Sequence, residues 1–265
     1  MKKRSRSIHR FGVALAAIAA FALCGLTATI ASATPSTTYW TPATTDIQGY
    51  GVPHITYDSY FTVFKKGEKK GDFPTDVGLT IGVLPFEKFQ MEVGVDLLEP
   101  SDDPLFFNAK IGTPEGALFK GSPAINLGIF NVGTQTSKDK VRTDQNIGHL
   151  LFGKTIPGLG RLFAGPYVGN AAVLKDSKGE TDNYGFMVGF DRGFLPTKDK
   201  AGNEFNRLVV AADYASGKNA LGGGGVGLYY YFTKDISLLT GPVWFNDQGI
   251  NGGWKWTAQL DINIQ

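Results

Sequence analysis

The chain has 265 residues, with 26 basic and 24 acidic side chains, 35 glycines and a single cysteine. The first 33 residues hold five of the basic side chains and no acidic ones, so the rest carries 21 basic and 24 acidic side chains, a formal charge of −3. This balance gives no reason to expect nucleic-acid binding. Because Cys24 is the only cysteine and lies in this stretch, a chain without the first 33 residues could form neither a disulfide nor a thiolate metal site.

Residues 1–33 have the layout of a secretory signal peptide. A basic stretch is followed by an apolar run over residues 11–23 and by Ala31-Ser32-Ala33, a small-residue cleavage site. A retained anchor is disfavoured because the apolar run is shorter than the ~20 residues of a membrane span. A lipid anchor at Cys24 is disfavoured by the bulky Leu23 before it. We therefore predict export, with cleavage after Ala33.

Residues 34–53 show no periodicity, and we predict a periplasmic lead or a partial plug. Residues 54–265 read as a chain of hairpins, in which apolar and polar side chains alternate with the period of a β-strand. The segment 89–97 and the final segment 254–265 alternate most cleanly. Strands are predicted near residues 55–63, 77–83, 89–97, 105–112, 124–133, 145–156, 161–174, 183–192, 206–215, 223–232, 235–245 and 254–265. The count is twelve, with ten or fourteen as alternatives.

The connections alternate in length, as the turns and loops of a membrane barrel do. Short turns rich in Gly, Pro and Asp are predicted at 84–86, 157–160 and 233–235, and two longer ones at 113–122 and 195–204. Polar loops are predicted between them, at residues 65–72, 134–143, 175–183 and 246–253.

Alternation alone does not say whether the apolar face meets lipid or a soluble core. Predicted strands of roughly 9–12 residues match tilted membrane spans, whereas strands of soluble sandwiches are usually nearer five or six residues. Aromatic residues collect at strand ends, where they would form the interface girdles of a membrane barrel. The predicted girdle residues are Phe86, Tyr230, Phe232, Trp244, Trp254 and Trp256. We therefore predict an all-β fold, a closed antiparallel up-and-down transmembrane β-barrel.

The run from Val226 to Leu238, V-G-L-Y-Y-Y-F-T-K-D-I-S-L, resembles a hairpin of Gram-negative outer-membrane β-barrel proteins. In that class an aromatic strand end meets a Thr-x-Asp or Thr-x-Asn turn and an Ile/Leu-Ser-Leu strand. The resemblance is to the class and to no single family. It implies location in the bacterial outer membrane, with outer-membrane lipids and the barrel-assembly machinery as partners. Such proteins usually end on Phe or Trp, where this chain has Ile264-Gln265.

If the polar face lines the lumen, its side chains are the candidate functional residues. They are Asp58, Tyr60, Lys88, Gln90, Glu92, Asp96, Asn108, Lys110, Asp213, Tyr229, Tyr231, Lys255, Gln259, Asp261 and Asn263. Both charge signs occur, so no strong ion selectivity is expected. Glu92 is predicted to lie opposite Lys110, as a channel-shaping or wall-bracing pair. Inward glycines, predicted at 78, 82, 94, 185, 189, 225 and 227, either leave part of the lumen open or ease curvature.

These residues predict a porin-like channel for passive passage of small hydrophilic solutes, without cofactor or metal. One alternative is an outer-membrane enzyme acting on lipid or peptide, but His54 and His149 lack a Ser two residues away on the same strand face. The other alternative is a structural or adhesive barrel with a closed lumen.

Overall fold

The computed structural model describes residues 38–63, 75–99 and 101–265. The predicted signal peptide and the predicted loop 65–72 lie outside these residues. Among the described residues, no helix has the length and apolar character needed to span a membrane.

Twelve antiparallel strands pair in sequence order, and β1 pairs with β12 to close the barrel, so the predicted fold and strand count are confirmed. The strands are β1 (Pro53–Phe61), β2 (Thr75–Gly82), β3 (Gln90–Glu99), β4 (Leu105–Thr113), β5 (Ala124–Gly133), β6 (Asp144–Ile156), β7 (Gly160–Val168), β8 (Tyr184–Lys198), β9 (Glu204–Ala215), β10 (Gly223–Tyr231), β11 (Ile236–Phe245) and β12 (Lys255–Asn263). A one-turn helix, α1 (Gln248–Asn251), lies between β11 and β12.

The strand period of two sorts side chains between the two faces of the wall, as the alternation predicted. Along β12, Lys255, Thr257, Gln259 and Asp261 are all buried toward the interior. On the neighbouring β1, Ile55 and Tyr57 point to the exposed outer face.

The two ends of the barrel differ, and we name them by their connections. The turn end carries the connections 83–89, 157–159 and 232–235, together with the start of β1 and the end of β12. The loop end carries the connections 134–143, 169–183, 216–222 and 246–254. At the turn end, Gly158 and Gly160 have positive φ values of 77° and 131°, which the tight β6–β7 turn requires.

The hairpin of β8 and β9 is longer than predicted, and the expected long turn at 195–204 is wrong. The two strands stay paired as far as Lys198 and Glu204. The turn was predicted because proline at position 196 usually interrupts a strand. Here β7 pairs with β8 only up to Asp191, so Pro196 lies where β8 has lost that neighbour. Beyond that point β8 is paired on one side only, where a proline is tolerated.

Strand β7 ends at Val168 and not at residue 174 as predicted. The following residues fold into the loop instead, where the Leu174 N–H donates to the Asn170 carbonyl (2.9 Å).

The outer face of the wall is apolar over its whole circumference. Large side chains that are exposed there include Ile55, Val77, Leu79, Val93, Leu97, Phe107, Leu127, Ile129, Val188, Val226, Leu228 and Leu238. A continuous apolar surface of this extent is foreign to soluble monomers and matches a hydrocarbon environment. The predicted girdle residues Phe86, Tyr230, Phe232, Trp244 and Trp254 are exposed. Trp256 is partly buried, and its indole N–H donates to Thr240 Oγ1 (2.7 Å).

Leu79→Arg tests the lipid-facing assignment. Leu79 lies near the middle of β2 between Ile55 and Val95. We expect the arginine to lower the free energy of unfolding by about 2–4 kcal/mol, because it places a charge in hydrocarbon. Denaturant titration in phospholipid vesicles measures the effect. Asp102→Arg in the exposed connection between β3 and β4 is the control, and equal effects of the two changes would contradict the assignment.

Candidate functional site: a divided lumen

The interior of the barrel is divided into two unlike walls. The polar wall is formed by the inward side chains of β12 and β1 to β4, among them His54, Thr56, Asp58, Asp76, Glu92, Asp96, Asn108, Lys110, Gln259 and Asp261. The apolar wall is formed by β5 to β11, whose buried inward side chains are mostly apolar, among them Phe130, Ile147, Leu151, Phe163, Met187, Val209, Tyr229, Tyr231, Leu239 and Val243. Of these apolar-wall side chains, the sequence analysis predicted only Tyr229 and Tyr231 as inward.

Residues 38–49, which we call the inner segment, lie inside the barrel. Tyr39, Ala43 and Thr44 are buried, and the segment leads to Tyr50, which bridges to Gly82 at the turn end. Tyr39 packs edge-on against Tyr229 of the apolar wall, with 5.9 Å between ring centroids. The inner segment therefore covers much of the apolar wall and separates it from the remaining space.

The loop-end part of the inner segment is held by Asp213 of β9. This carboxylate accepts hydrogen bonds from the backbone N–H groups of Tyr39 (2.5 Å), Trp40 (3.2 Å) and Thr41 (2.9 Å). Bonds from backbone N–H groups to an ionised carboxylate are among the stronger hydrogen bonds in proteins. Burial, and then the nearby charge of Asp213, raise the pKa of the Tyr39 phenol well above its usual value, so Tyr39 stays neutral.

The turn-end part of the inner segment is held by Arg161 of β7. Its guanidinium bonds both carboxylate oxygens of Asp46 (2.7 and 2.9 Å) and also bonds Asp191 of β8 (2.5 Å). Lys110 donates to the Asp46 carbonyl (2.7 Å), and Glu92 accepts from the Gln48 N–H (2.5 Å). Arg161 was not predicted because it directly follows a turn glycine. The feature that could have identified Arg161 is its pairing with Asp191, a residue of opposite charge at an inward position of β8.

Several inward glycines make room for the inner segment, so the interpretation of them as open lumen needs correction. A Cβ added at Gly189 would lie 2.1 Å from the Ala43 carbonyl oxygen, and one at Gly82 would lie 2.2 Å from that of Gly49. A Cβ at Gly225 would lie 2.3 Å from Tyr39 Cβ. These glycines allow close approach of a second backbone, and the space they leave is occupied.

A cavity of about 380 Å³ remains between the inner segment and the polar wall. It reaches from the level of His54 and His149 to the loop-end residues Leu221 and Asn251. At its turn-end side, Glu92 and Lys110 form the predicted cross-strand pair (3.2 Å), which the structure confirms. His54 contacts Asn263 Oδ1 through Nδ1 (3.0 Å) and Asp261 through Nε2 (3.5 Å).

The structure places the predicted lumen residues in three groups. Those that line the cavity are Asp58, Tyr60, Glu92, Asp96, Asn108 and Lys110. Those that lie on the inward face of the wall without lining the cavity are Gln90, Asp213, Tyr229, Tyr231, Lys255, Gln259, Asp261 and Asn263. Lys88 was placed wrongly, because it is exposed in the connection 83–89, outside any strand.

Some residues that line the cavity were missed. Asp76 lies at the very start of β2, Trp40 lies in a segment without periodicity, and His149 was discussed only as a candidate base. Tyr229 and Tyr231, predicted to constrict the lumen or stack on a ligand, stack on one another with 6.3 Å between ring centroids.

Fold and lumen together define a porin-like transmembrane β-barrel. No family model and no curated protein matches the chain. Among solved structures, a KdgM porin superposes with a TM-score of 0.50 at 9% identity, covering 81% of this chain and 99% of that one. The COG4313 outer membrane channel from Pseudomonas putida F1 has a TM-score of 0.45 at 11% identity, with 82% and 96% covered. A NanC porin has a TM-score of 0.45 at 8% identity, with 81% and 98% covered.

Gly189→Ala tests the close packing of the inner segment. The added methyl group would meet backbone, which cannot rotate away, so we expect a loss of about 1–3 kcal/mol in unfolding free energy, as for overpacked sites. Gly148→Ala is the matched control, because the nearest atom to its added Cβ lies at 3.8 Å. Denaturant titration compares the two, and indistinguishable midpoints would contradict the packing.

Asp213→Asn tests the anchor of the inner segment. Replacing charge-assisted hydrogen bonds by neutral ones should weaken each by about 1 kcal/mol. We expect the amides of Tyr39, Trp40 and Thr41 to exchange with deuterium about tenfold faster, as measured by mass spectrometry on peptides of the inner segment. Asp139→Asn, in an exposed loop, should leave their exchange unchanged. Unchanged exchange in the Asp213 variant would show that Asp213 does not hold the inner segment in place.

Proposed function

We propose that the protein is an outer-membrane channel for passive passage of small hydrophilic solutes. The observation that carries this proposal is the polar cavity enclosed by a barrel whose outer surface is apolar. Water and polar solutes are stable beside hydroxyl, amide and carboxylate groups, whereas hydrocarbon on the outside keeps the barrel in the bilayer. The path follows the polar wall from the loop end toward the turn end.

The inner segment limits the size of the solute. It covers the apolar wall and is held by Asp213 near the loop end and by Arg161 near the turn end. Twelve strands already give a lumen between the filled interior of eight-stranded barrels and the open channel of sixteen-stranded ones. With the inner segment in place, the cavity along the polar wall is the space for passage that the described residues leave, which favours small solutes.

The proposed location is the outer membrane, after removal of residues 1–33, with outer-membrane lipids and the barrel-assembly machinery as partners. The apolar outer surface supports an integral position. The likeness to a KdgM porin is in fold at 9% identity, and its name as a porin agrees with a channel function. We propose that the protein transports and does not catalyse.

The two histidines agree with this choice. His54 contacts Asp261 and Asn263. Within the described parts of the chain, no serine or threonine hydroxyl bonds either His54 or His149, so neither forms the nucleophile–base pair that acyl transfer needs.

Planar-bilayer recording of the purified, refolded protein tests the proposal. We expect discrete conductance steps from the intact chain, and steps several-fold larger after deletion of residues 38–49, because the deletion opens the side of the lumen along the apolar wall. Deletion of residues 137–140 in an exposed loop is the control and should leave the step size near that of the intact chain. Absence of steps from the intact chain would refute passive conduction, including the case in which only the deletion variant conducts.

A further inference from the structure

Three carboxylates of the polar wall lie together in the cavity. Asp58 of β1 stands directly opposite Asp76 of β2 in the strand register. Gly78 is the next inward residue after Asp76, and the carboxylate of Asp96 from β3 lies over it. A Cβ added at Gly78 would be 2.6 Å from Asp96 Oδ1. All three acids line the cavity. Like charges directly opposite one another destabilise a sheet, so their grouping has to be explained by something other than wall stability.

The described residues provide no basic partner within 4.0 Å for any of these three acids. Asp58 accepts a hydrogen bond from Thr56 Oγ1 (2.7 Å), and Asp96 accepts one from the Asn108 amide. Asp76 Oδ1 is buried and has no hydrogen-bond partner.

The nearby bases are engaged with other groups. Lys110 is paired with Glu92, and His54 contacts Asp261. Among the described residues that line the cavity, Asp58, Asp76 and Asp96 therefore have no basic side chain paired with them.

His149, which lines the same cavity from β6, is a second and independent sign of a ligand. Its side chain is 5% exposed, and neither ring nitrogen has a hydrogen-bond partner. Buried polar groups are normally hydrogen-bonded, and an unprotonated imidazole nitrogen accepts a hydrogen bond from an N–H group. Trp40 and Tyr60 also line the cavity, and aromatic rings attract cations.

The size and spacing of these groups favour an organic ligand over a metal ion. No three His, Asp or Glu side chains of the described residues lie close enough together to hold a metal. The cavity, at about 380 Å³, has the volume of a small-molecule site. A ligand that carries its charge on an N–H-bearing group fits both the carboxylates and the one acceptor nitrogen of a neutral His149.

We infer that this cavity binds small organic cations with several N–H donors, of the type of linear diamines, and selects them for passage. The inference rests on the proposed channel function for passage but not for binding. Its elements are the carboxylates of Asp58, Asp76 and Asp96 for charge, His149 as acceptor, and Trp40 and Tyr60 as aromatic surface.

Isothermal titration of the full mature chain in detergent tests binding with three probes of similar length. They are 1,4-diaminobutane, the uncharged butane-1,4-diol and the anionic succinate. We expect the diamine to bind at least tenfold more tightly than the other two. Equal affinities, or no heat from the diamine at millimolar concentration, would overturn the inference.

Asp76→Asn should weaken diamine binding at least tenfold and leave the unfolding midpoint the same or higher, because it removes repulsion with Asp58. Asp102→Asn, in an exposed connection, is the matched control and should change neither quantity. His149→Phe keeps a ring but removes both nitrogens, and should weaken the diamine several-fold. Diamine binding that is unchanged in both cavity variants would overturn the site.

Reversal potentials in a KCl gradient separate this inference from the channel proposal. We expect cation preference in the intact chain and reduced preference in Asp76→Asn. Conductance without cation preference would overturn the selection of cations while leaving the channel. Diamine binding without any conductance would support the site and refute the channel.

Discussion

The structure depends on the hydrogen bonds that join β1 to β12. A sheet of twelve strands left open would present two edges of unpaired backbone groups to hydrocarbon, where water cannot satisfy them. Closure through the register His54 to Asn263 and Phe61 to Trp256 removes both edges. Once the cylinder is closed, every strand residue must face either lipid or lumen, and the period of two decides which. The apolar exterior, the polar wall and the burial of Asp58 all follow from that constraint.

Closure also creates a problem inside, because the lumen of this barrel is not uniformly polar. Leu151, Met187 and Leu239 point inward and would contact water if the lumen were empty. The inner segment covers this surface with its own backbone and with Tyr39, and the glycines of the wall let it approach closely. Its backbone polar groups need partners in turn, which Asp213 supplies near the loop end. The segment is therefore held by polar anchors while it covers an apolar wall.

The strands, their faces and the Glu92–Lys110 pair could be predicted because alternation is strict where one face is apolar and the other polar. Most side chains of the apolar wall could not be predicted, for the converse reason. In β11, Leu239 and Val243 face inward while Leu238 and Trp244 face outward, and when both faces are apolar the alternation carries no information about direction. The inner segment has no periodicity at all, since its contacts are with many strands. The glycines were recognised as inward, but a sequence does not say what fills the space beside a glycine.

The polar wall shows two ways of arranging buried charge. Near the turn end, Glu92 faces Lys110 and also bonds the inner segment, so charge and hydrogen bonds are matched there. Nearer the loop end, Asp58 faces Asp76, and no basic side chain of the described residues forms an ion pair with either of them. A pair of opposite charges like Glu92 and Lys110 would have stabilised the wall at the position of Asp58 and Asp76 as well. Because both positions belong to the same wall and both line the cavity, the unmatched acids are better explained by a cationic solute than by the needs of the barrel.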